Sequence, residues 1–194
     1  MTSPLVPEAL VPRLRGRFGH PYVFVEQCAS TQKLLGDEHS EGAVALTEEQ
    51  TEGRGRLGRT WVSPPGVSLL FSLLLEPPVE TARLPELTLV AGQSTAEAIA
   101  HVTGLAPAIK LPNDVLLGGK KAAGILAEAR DGRVVLGIGI NVNVALPDLP
   151  QGIDPPATSL LIETGHDVDR VELLVVLLDR LERAYDGWVA ATGT

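Results

Sequence analysis

Two tight turns constrain this chain more than any other feature. Gly118-Gly119 and Asp131-Gly132 separate Val115-Leu116-Leu117, Lys121 to Ala129 and Arg133 to Val144. Glycine reaches the positive φ that two-residue hairpin loops need, so the three runs are expected as strands pairing with their sequence neighbours. Ala108-Ile109-Lys110 adds a short strand before them, closed by the turn Pro112-Asn113-Asp114. A sheet built from local hairpins is antiparallel there, which argues against a regular succession of βαβ units.

Around this core the helices fall irregularly. Tyr22 to Glu26 and Ala43 to Thr47 read as strands, with Ser30 to Glu38 as a short helix between them. Ser30 and Thr31 would be its N-terminal cap. Pro64-Pro65-Gly66 turns the chain into an apolar strand from Ser68 to Leu75. Pro85 suits the first turn of a helix running to about Val102, with Leu87, Val90, Ala91, Ser94, Ala98 and Val102 on one face. Pro147 to Ala157 has no periodicity and reads as a connecting loop. Asp169 followed by Glu172 predicts the start of a last helix, whose buried stripe is Leu174, Leu178, Leu181, Tyr185 and Trp188. The expected fold is α+β, a mixed β-sheet with helices packed against it, in a single domain over residues 1–194.

Composition narrows the functional classes. Sixteen Lys and Arg against twenty-four Asp and Glu leave a net charge of -8, a poor basis for a broad phosphate-tracking surface, so DNA binding is not expected. Cys28 is the sole cysteine, which removes intrachain disulfides, C-x-x-C redox chemistry and Cys-rich zinc sites. It reads as a small core or surface thiol rather than a nucleophile, because no neighbouring His would activate it. No apolar run approaches the roughly 20 residues that span a bilayer, and a cytoplasmic location is expected.

Against that acidic background, Gly53-Arg54-Gly55-Arg56-Leu57-Gly58-Arg59 concentrates positive charge. Guanidinium forks bind phosphate or carboxylate, and glycines let backbone amides approach a ligand, so the loop suits a nucleotide or acyl phosphate. A solvated loop or a nucleic-acid contact are the alternatives. Gly53 to Thr60 also has P-loop spacing with Arg59 in the lysine position, but Trp61-Val62-Ser63-Pro64-Pro65-Gly66 follows where a P-loop needs a helix.

Two further segments carry chemistry. Lys110, Asn113 and Asp114 flank one turn, and Lys121 follows just past Gly118-Gly119. A lysine charge beside an α-phosphate would stabilise the negative charge that develops when a carboxylate attacks it, and an Asp could take a proton from an incoming amine. An ordinary turn and an exposed Lys120-Lys121 pair would also give this pattern. Gly137-Ile138-Gly139-Ile140-Asn141 offers small residues against which a flat ring could lie, with Asn141 within reach of it. The segment lacks the third glycine and the helix of a dinucleotide fingerprint.

Taken together and in this order, these segments resemble biotin protein ligases from Ser30 to Trp188. The match rests on Ser30-Thr31, Gln50 with Gly53 to Trp61, Lys110 to Asp114, Lys121-Ala122-Ala123-Gly124-Ile125-Leu126, and Gly137 to Asn143. The resemblance implies a catalytic domain of the class II aminoacyl-tRNA-synthetase-like biotin/lipoate ligase type. Such a domain makes biotinyl-5′-AMP from biotin and ATP, with Mg²⁺ arriving on ATP, and passes biotin to a lysine of a biotin carboxyl carrier protein. It assigns Ser30, Thr31, Gln50, Gly53, Arg54 and Lys121 to biotin. Arg56, Trp61, Lys110, Asn113, Ile140 and Asn141 are assigned to the nucleotide, and Lys121, Arg56 and Asp114 to catalysis. No protein metal ligand is implied, and the expected state is a monomer or homodimer.

The chain departs from the family at Leu111, usually Trp, and at Gln32, often Asn. Neither the family's small C-terminal β domain nor an N-terminal helix-turn-helix is expected here, and with them an effect on full activity and an absence of DNA-mediated repression are expected. A lipoate or octanoate ligase of the same fold, a biotin-binding domain that does not transfer, and an RNA-binding module are the competing expectations.

Overall fold

The computed structural model describes residues 5–192. Its elements run in the order α1 (Pro7–Leu10), β1 (Tyr22–Cys28), β2 (Val44–Gln50), β3 (Leu69–Leu75), α2 (Glu86–Thr103), β4 (Ala108–Lys110), β5 (Asp114–Leu117), β6 (Lys120–Arg130), β7 (Arg133–Ile140), α3 (Leu160–Thr164) and α4 (Arg170–Thr192). The strands form one seven-stranded sheet ordered β1-β2-β3-β7-β6-β5-β4, with β1 and β2 parallel and every other pair antiparallel. The Gly118-Gly119 and Asp131-Gly132 hairpins are both present, joining β5 to β6 and β6 to β7.

One face of the sheet is sealed and the other is largely open. On the sealed face Leu136, Ile138 and Ile140 of β7, Ile125 of β6 and Phe71 of β3 pack with α2 and α4 into the main core. The helical stripes meet it as their spacing requires: Leu87, Ala91 and Ala98 from α2, and Leu174, Leu178, Leu181 and Tyr185 from α4, are buried. The opposite face has only a small cluster of Leu35, Ala43, Ala45 and Leu74 at one end. Beside Leu70 and Leu126, that face carries Ser72, Gly124, Gly137 and Gly139, which alternate with core residues along their strands. Small residues on that face leave room above the sheet.

The structure corrects two expectations. The helix expected from Ser30 to Glu38 is a single 3-10 turn, Thr31–Leu34, and Ser30 makes no capping bond with its side chain. Leu35 is extended (φ -107, ψ 90) because it packs inward with Ala43 and Ala45, and Gly36 and Asp37 follow it into a turn. The strand expected to reach Val144 ends at Ile140; Asn141 N–H still reaches Ala122 O across the ladder at 2.9 Å, but Asn143 N–H donates to Val67 O at 2.7 Å instead of to β6. Asp169 does cap α4, accepting from Val171 N (2.8 Å) and Glu172 N (3.2 Å). The Glu172 carboxylate pairs with Arg13. Two short helices, α1 and α3, had no signal strong enough to read in sequence. Among the described residues no helix is long and apolar enough to cross a membrane.

Candidate active site

The open face becomes a cleft because loops rather than a helix arch over it. It encloses about 1090 Å³ of empty space, part of it open to solvent, between the Thr31–Leu34 turn, the arginine-glycine loop, the floor of β6 and β7, and a wall from Ile153 to Ala157. Its floor is flat for a steric reason. A Cβ on Gly139 would lie 2.7 Å from Trp61 Cε2, and one on Gly124 would lie 3.0 Å from Trp61 Cζ3. In this structure the Trp61 indole lies against Gly139 and Gly124, while Gln32 lies over Gly137.

The arginine-glycine loop closes on itself. Trp61 N–H donates to Gly53 O (2.9 Å), Gly55 N–H donates to Arg59 O (2.7 Å), and Arg54 bridges Thr60. Gly53 is required there, since a Cβ would stand 2.2 Å from Trp61 O. At the tip Leu57 takes a left-handed conformation (φ 57, ψ 38) and is 88% exposed, an arrangement that costs a leucine roughly 1–2 kcal/mol. Arg54 pairs with Glu128 at 2.9 Å, and Arg56 donates to Asn113 Oδ1 at 3.4 Å.

One end of the cleft is uncharged and polar. Gln50 Oε1 accepts from Thr31 N (2.9 Å) and Thr31 Oγ1 (3.3 Å), and Thr31 Oγ1 lies 2.8 Å from Ser72 Oγ. Ser30 is 2% exposed beside them. Gln32 lies over Gly137 and donates to Leu126 O at 3.0 Å, leaving its buried Oε1 without a partner among the described residues. At the centre Lys121 Nζ lies 2.7 Å from Asp114 Oδ1 and 5.7 Å from the centroid of the Trp61 ring. The Lys121 and Asp114 side chains are only 18% and 12% exposed. Asn113 holds the turn against β6 through Nδ2 to Ile125 O at 3.0 Å.

Most expected site residues therefore converge. Ser30, Thr31, Gln50, Arg54, Arg56, Trp61, Asn113, Asp114, Lys121 and Asn141 all line the cleft. Gly53 is buried behind the loop, Lys110 is exposed on β4 away from the lining, and the Ile140 side chain lies in the main core. Asn141 is 4% exposed and donates from Nδ2 to Thr158 O at 3.0 Å. Sequence reasoning missed the wall from Ile153 to Ala157, which it took for a plain connection. Ile153 among prolines, 40% exposed, was the available signal.

The seating of the indole is open to a direct check. Gly139→Ala is expected to push Trp61 off the floor, costing about 1–3 kcal/mol as overpacking does. In a Trp188→Phe background, which leaves Trp61 as the remaining tryptophan, its fluorescence emission should shift to longer wavelength. An unshifted spectrum would show that the ring does not rest on Gly139.

Fold and cleft match known proteins. A family model described as the biotin/lipoate A/B protein ligase family matches residues 24–145, and this chain belongs to that family. The relatives most similar in sequence and structure include biotin protein ligases. The bifunctional ligase/repressor BirA of Bacillus spizizenii is 36% identical over 176 residues, covering 86% of this chain and 54% of the relative. The biotin-[acetyl-CoA-carboxylase] ligase of Mycobacterium tuberculosis is 38% identical over 154 residues, covering 76% of this chain and 56% of the relative. The solved biotin protein ligase of Aquifex aeolicus in complex with biotin and ATP superposes with a TM-score of 0.79 at 38% identity, covering 88% of this chain and 72% of that one. The chain thus spans about half the length of the curated relatives it matches.

Proposed function

We propose that this chain activates biotin with ATP to biotinyl-5′-AMP and transfers biotin to a lysine of a biotin carboxyl carrier protein. The observation that carries the reading is the Lys121–Asp114 pair at the cleft centre, between an uncharged polar end and an arginine-bearing loop. The polar end suits the ureido ring, which needs donors and acceptors without charge: Ser30, Thr31 and Gln50 supply them. Biotin's carboxylate would then point toward Lys121.

In the first step the carboxylate oxygen attacks the α-phosphorus of ATP, the bond to the β-phosphate breaks, and pyrophosphate leaves. Lys121 Nζ stabilises the charge that builds on the α-phosphate oxygens, and Arg56 from the loop adds to it. Trp61 and Asn113 border the adenylate. Mg²⁺ enters with ATP as part of that substrate. In the second step the carrier lysine attacks the acyl carbon and AMP leaves. Asp114 accepts the proton of the attacking amine. The closed loop keeps water from the mixed anhydride. Related solved structures support the sequence of states: the Aquifex aeolicus enzyme is in complex with biotin and ATP, and that of Leishmania major, 26% identical with a TM-score of 0.71, with biotinyl-5-AMP.

Biotin-dependent exchange of labelled pyrophosphate into ATP tests the reading, with lipoate as the parallel substrate. Exchange with biotin alone is expected. Exchange with lipoate alone would move the chain to the other branch of its family. No exchange with either, while calorimetry shows biotin binding, would make it a binding domain.

A further inference from the structure

Lys121 stands near the first residue of β6, where the sheet no longer holds it on both sides. The last β6–β7 pair is Ala123 with Ile140, so the edge of Lys121 facing β7 has lost its neighbouring strand. The segment after Pro155 takes that place. Lys121 N–H donates to Pro156 O (2.8 Å), Thr158 N–H donates to Lys121 O (2.9 Å), and Ala157 forms a parallel bridge with Lys121. The segment that forms the cleft wall is also the backbone partner of the central lysine.

This segment is held by a carboxylate outside the cleft. Thr158 is 1% exposed, and its Oγ1 donates to Glu163 Oε1 at 2.6 Å. Glu163 also receives Lys120 Nζ at 3.1 Å. The contacts close a ring from Lys120 along β6 to Lys121, across the bridge to Thr158, and back through Glu163. Asn141 Nδ2 secures the Thr158 carbonyl from within. The Thr158 hydroxyl and the Lys120 ammonium hold the Glu163 carboxyl below the usual carboxylate range, so it stays an acceptor at neutral pH.

The geometry points to Glu163 as a positioning residue that acts through Thr158 to hold the Pro156–Thr158 segment against β6, fixing Lys121 opposite Asp114. The role assigned to Lys121 rests on the ligase reading, whereas the clamp on its backbone does not. The hydrogen bond matters here, and the charge on Glu163 does not: a glutamine keeps the acceptor that Thr158 needs.

Two readouts test the clamp in Thr158→Val, Glu163→Ala, Glu163→Gln and Lys120→Met. The first is biotin-dependent pyrophosphate exchange. Thr158→Val and Glu163→Ala are expected to lower kcat by about 10- to 100-fold, as small misplacements of a reacting group do, with the KM for biotin within about threefold. Glu163→Gln and Lys120→Met should stay near the starting kcat. The second readout is acetylation of Lys121 by limiting acetic anhydride, mapped by mass spectrometry, which needs no enzymatic activity. Labelling should rise about three- to tenfold when the segment loosens in Thr158→Val and Glu163→Ala, and remain unchanged in Glu163→Gln. Equal labelling of Lys121 in all variants, or damage in Glu163→Gln equal to that in Glu163→Ala, would overturn the clamp. A starting protein without exchange would defeat the ligase reading while the labelling still decides the clamp.

Discussion

Lys121→Ala is expected to lower biotin-dependent pyrophosphate exchange by about 10²- to 10³-fold or more, the loss seen when one preorganised charge-stabilising donor is removed from an active site. Three features of its surroundings set this size. The ammonium sits in a cleft where its side chain is 18% exposed, so water cannot replace it at full strength. Asp114 at 2.7 Å is its one close anionic partner among the described residues, and an ammonium has three protons, so others can turn toward a phosphate oxygen. Gly124 leaves its stem room, because a Cβ there would lie 3.3 Å from Lys121 Cε and 3.4 Å from Nζ. The variant should remain folded. It strands a partly buried Asp114 carboxylate at about 1–3 kcal/mol, and Lys121→Ala with Asp114→Asn should recover most of that stability without recovering exchange. Circular dichroism and thermal melts of both variants separate the two effects. Ordinary exchange by a folded Lys121→Ala protein would end the role given to this lysine.

The strands of this fold were the legible part. Gly118-Gly119 and Asp131-Gly132 each force a positive φ, so β5, β6 and β7 could be placed from local chemistry alone. The stripes on α2 and α4 were legible for the same reason, since a helix buries one face and shows it in its spacing. Ser30 to Glu38 misled because its capping residues suit a helix, yet tertiary packing of Leu35 ended it after one turn. In the site, Thr31, Gln50, Arg54, Arg56, Trp61, Asp114 and Lys121 were legible through their joint order along the chain. What they touch was not. Nothing local tells that the indole of Trp61 lies on Gly139, or that the proline-rich stretch ending at Ala157 pairs with Lys121. Both contacts join residues far apart in sequence, and neither leaves a periodic trace.

Arg170 shows how far such hidden contacts reach. In sequence it is an ordinary charged residue opening the last helix, where a cation is poorly placed against the helix dipole. In the structure its side chain is 2% exposed and donates to Glu48 Oε2 (2.5 Å), Glu48 Oε1 (3.2 Å) and Ser68 O (3.0 Å). Glu48 stands two residues before Gln50 at the end of β2, and Ser68 directly precedes β3. The guanidinium therefore ties together the two roots of the segment that carries the arginine-glycine loop. Arg170→Met is expected to cost about 3–5 kcal/mol, because it strips the Glu48 carboxylate of its cation, leaving it the long contact from Leu5 N–H at 3.4 Å. Urea unfolding would record this as a lower midpoint with an unchanged slope. Replacing Glu48 as well, in Glu48→Leu with Arg170→Met, should restore most of the stability, since an apolar pair of similar volume can stand in for a buried ion pair. Biotin affinity separates anchoring from simple stability. If the pair sets the loop's roots, the restored double variant should still bind biotin more weakly than the starting protein. Unaltered affinity would confine Arg170 to holding the fold.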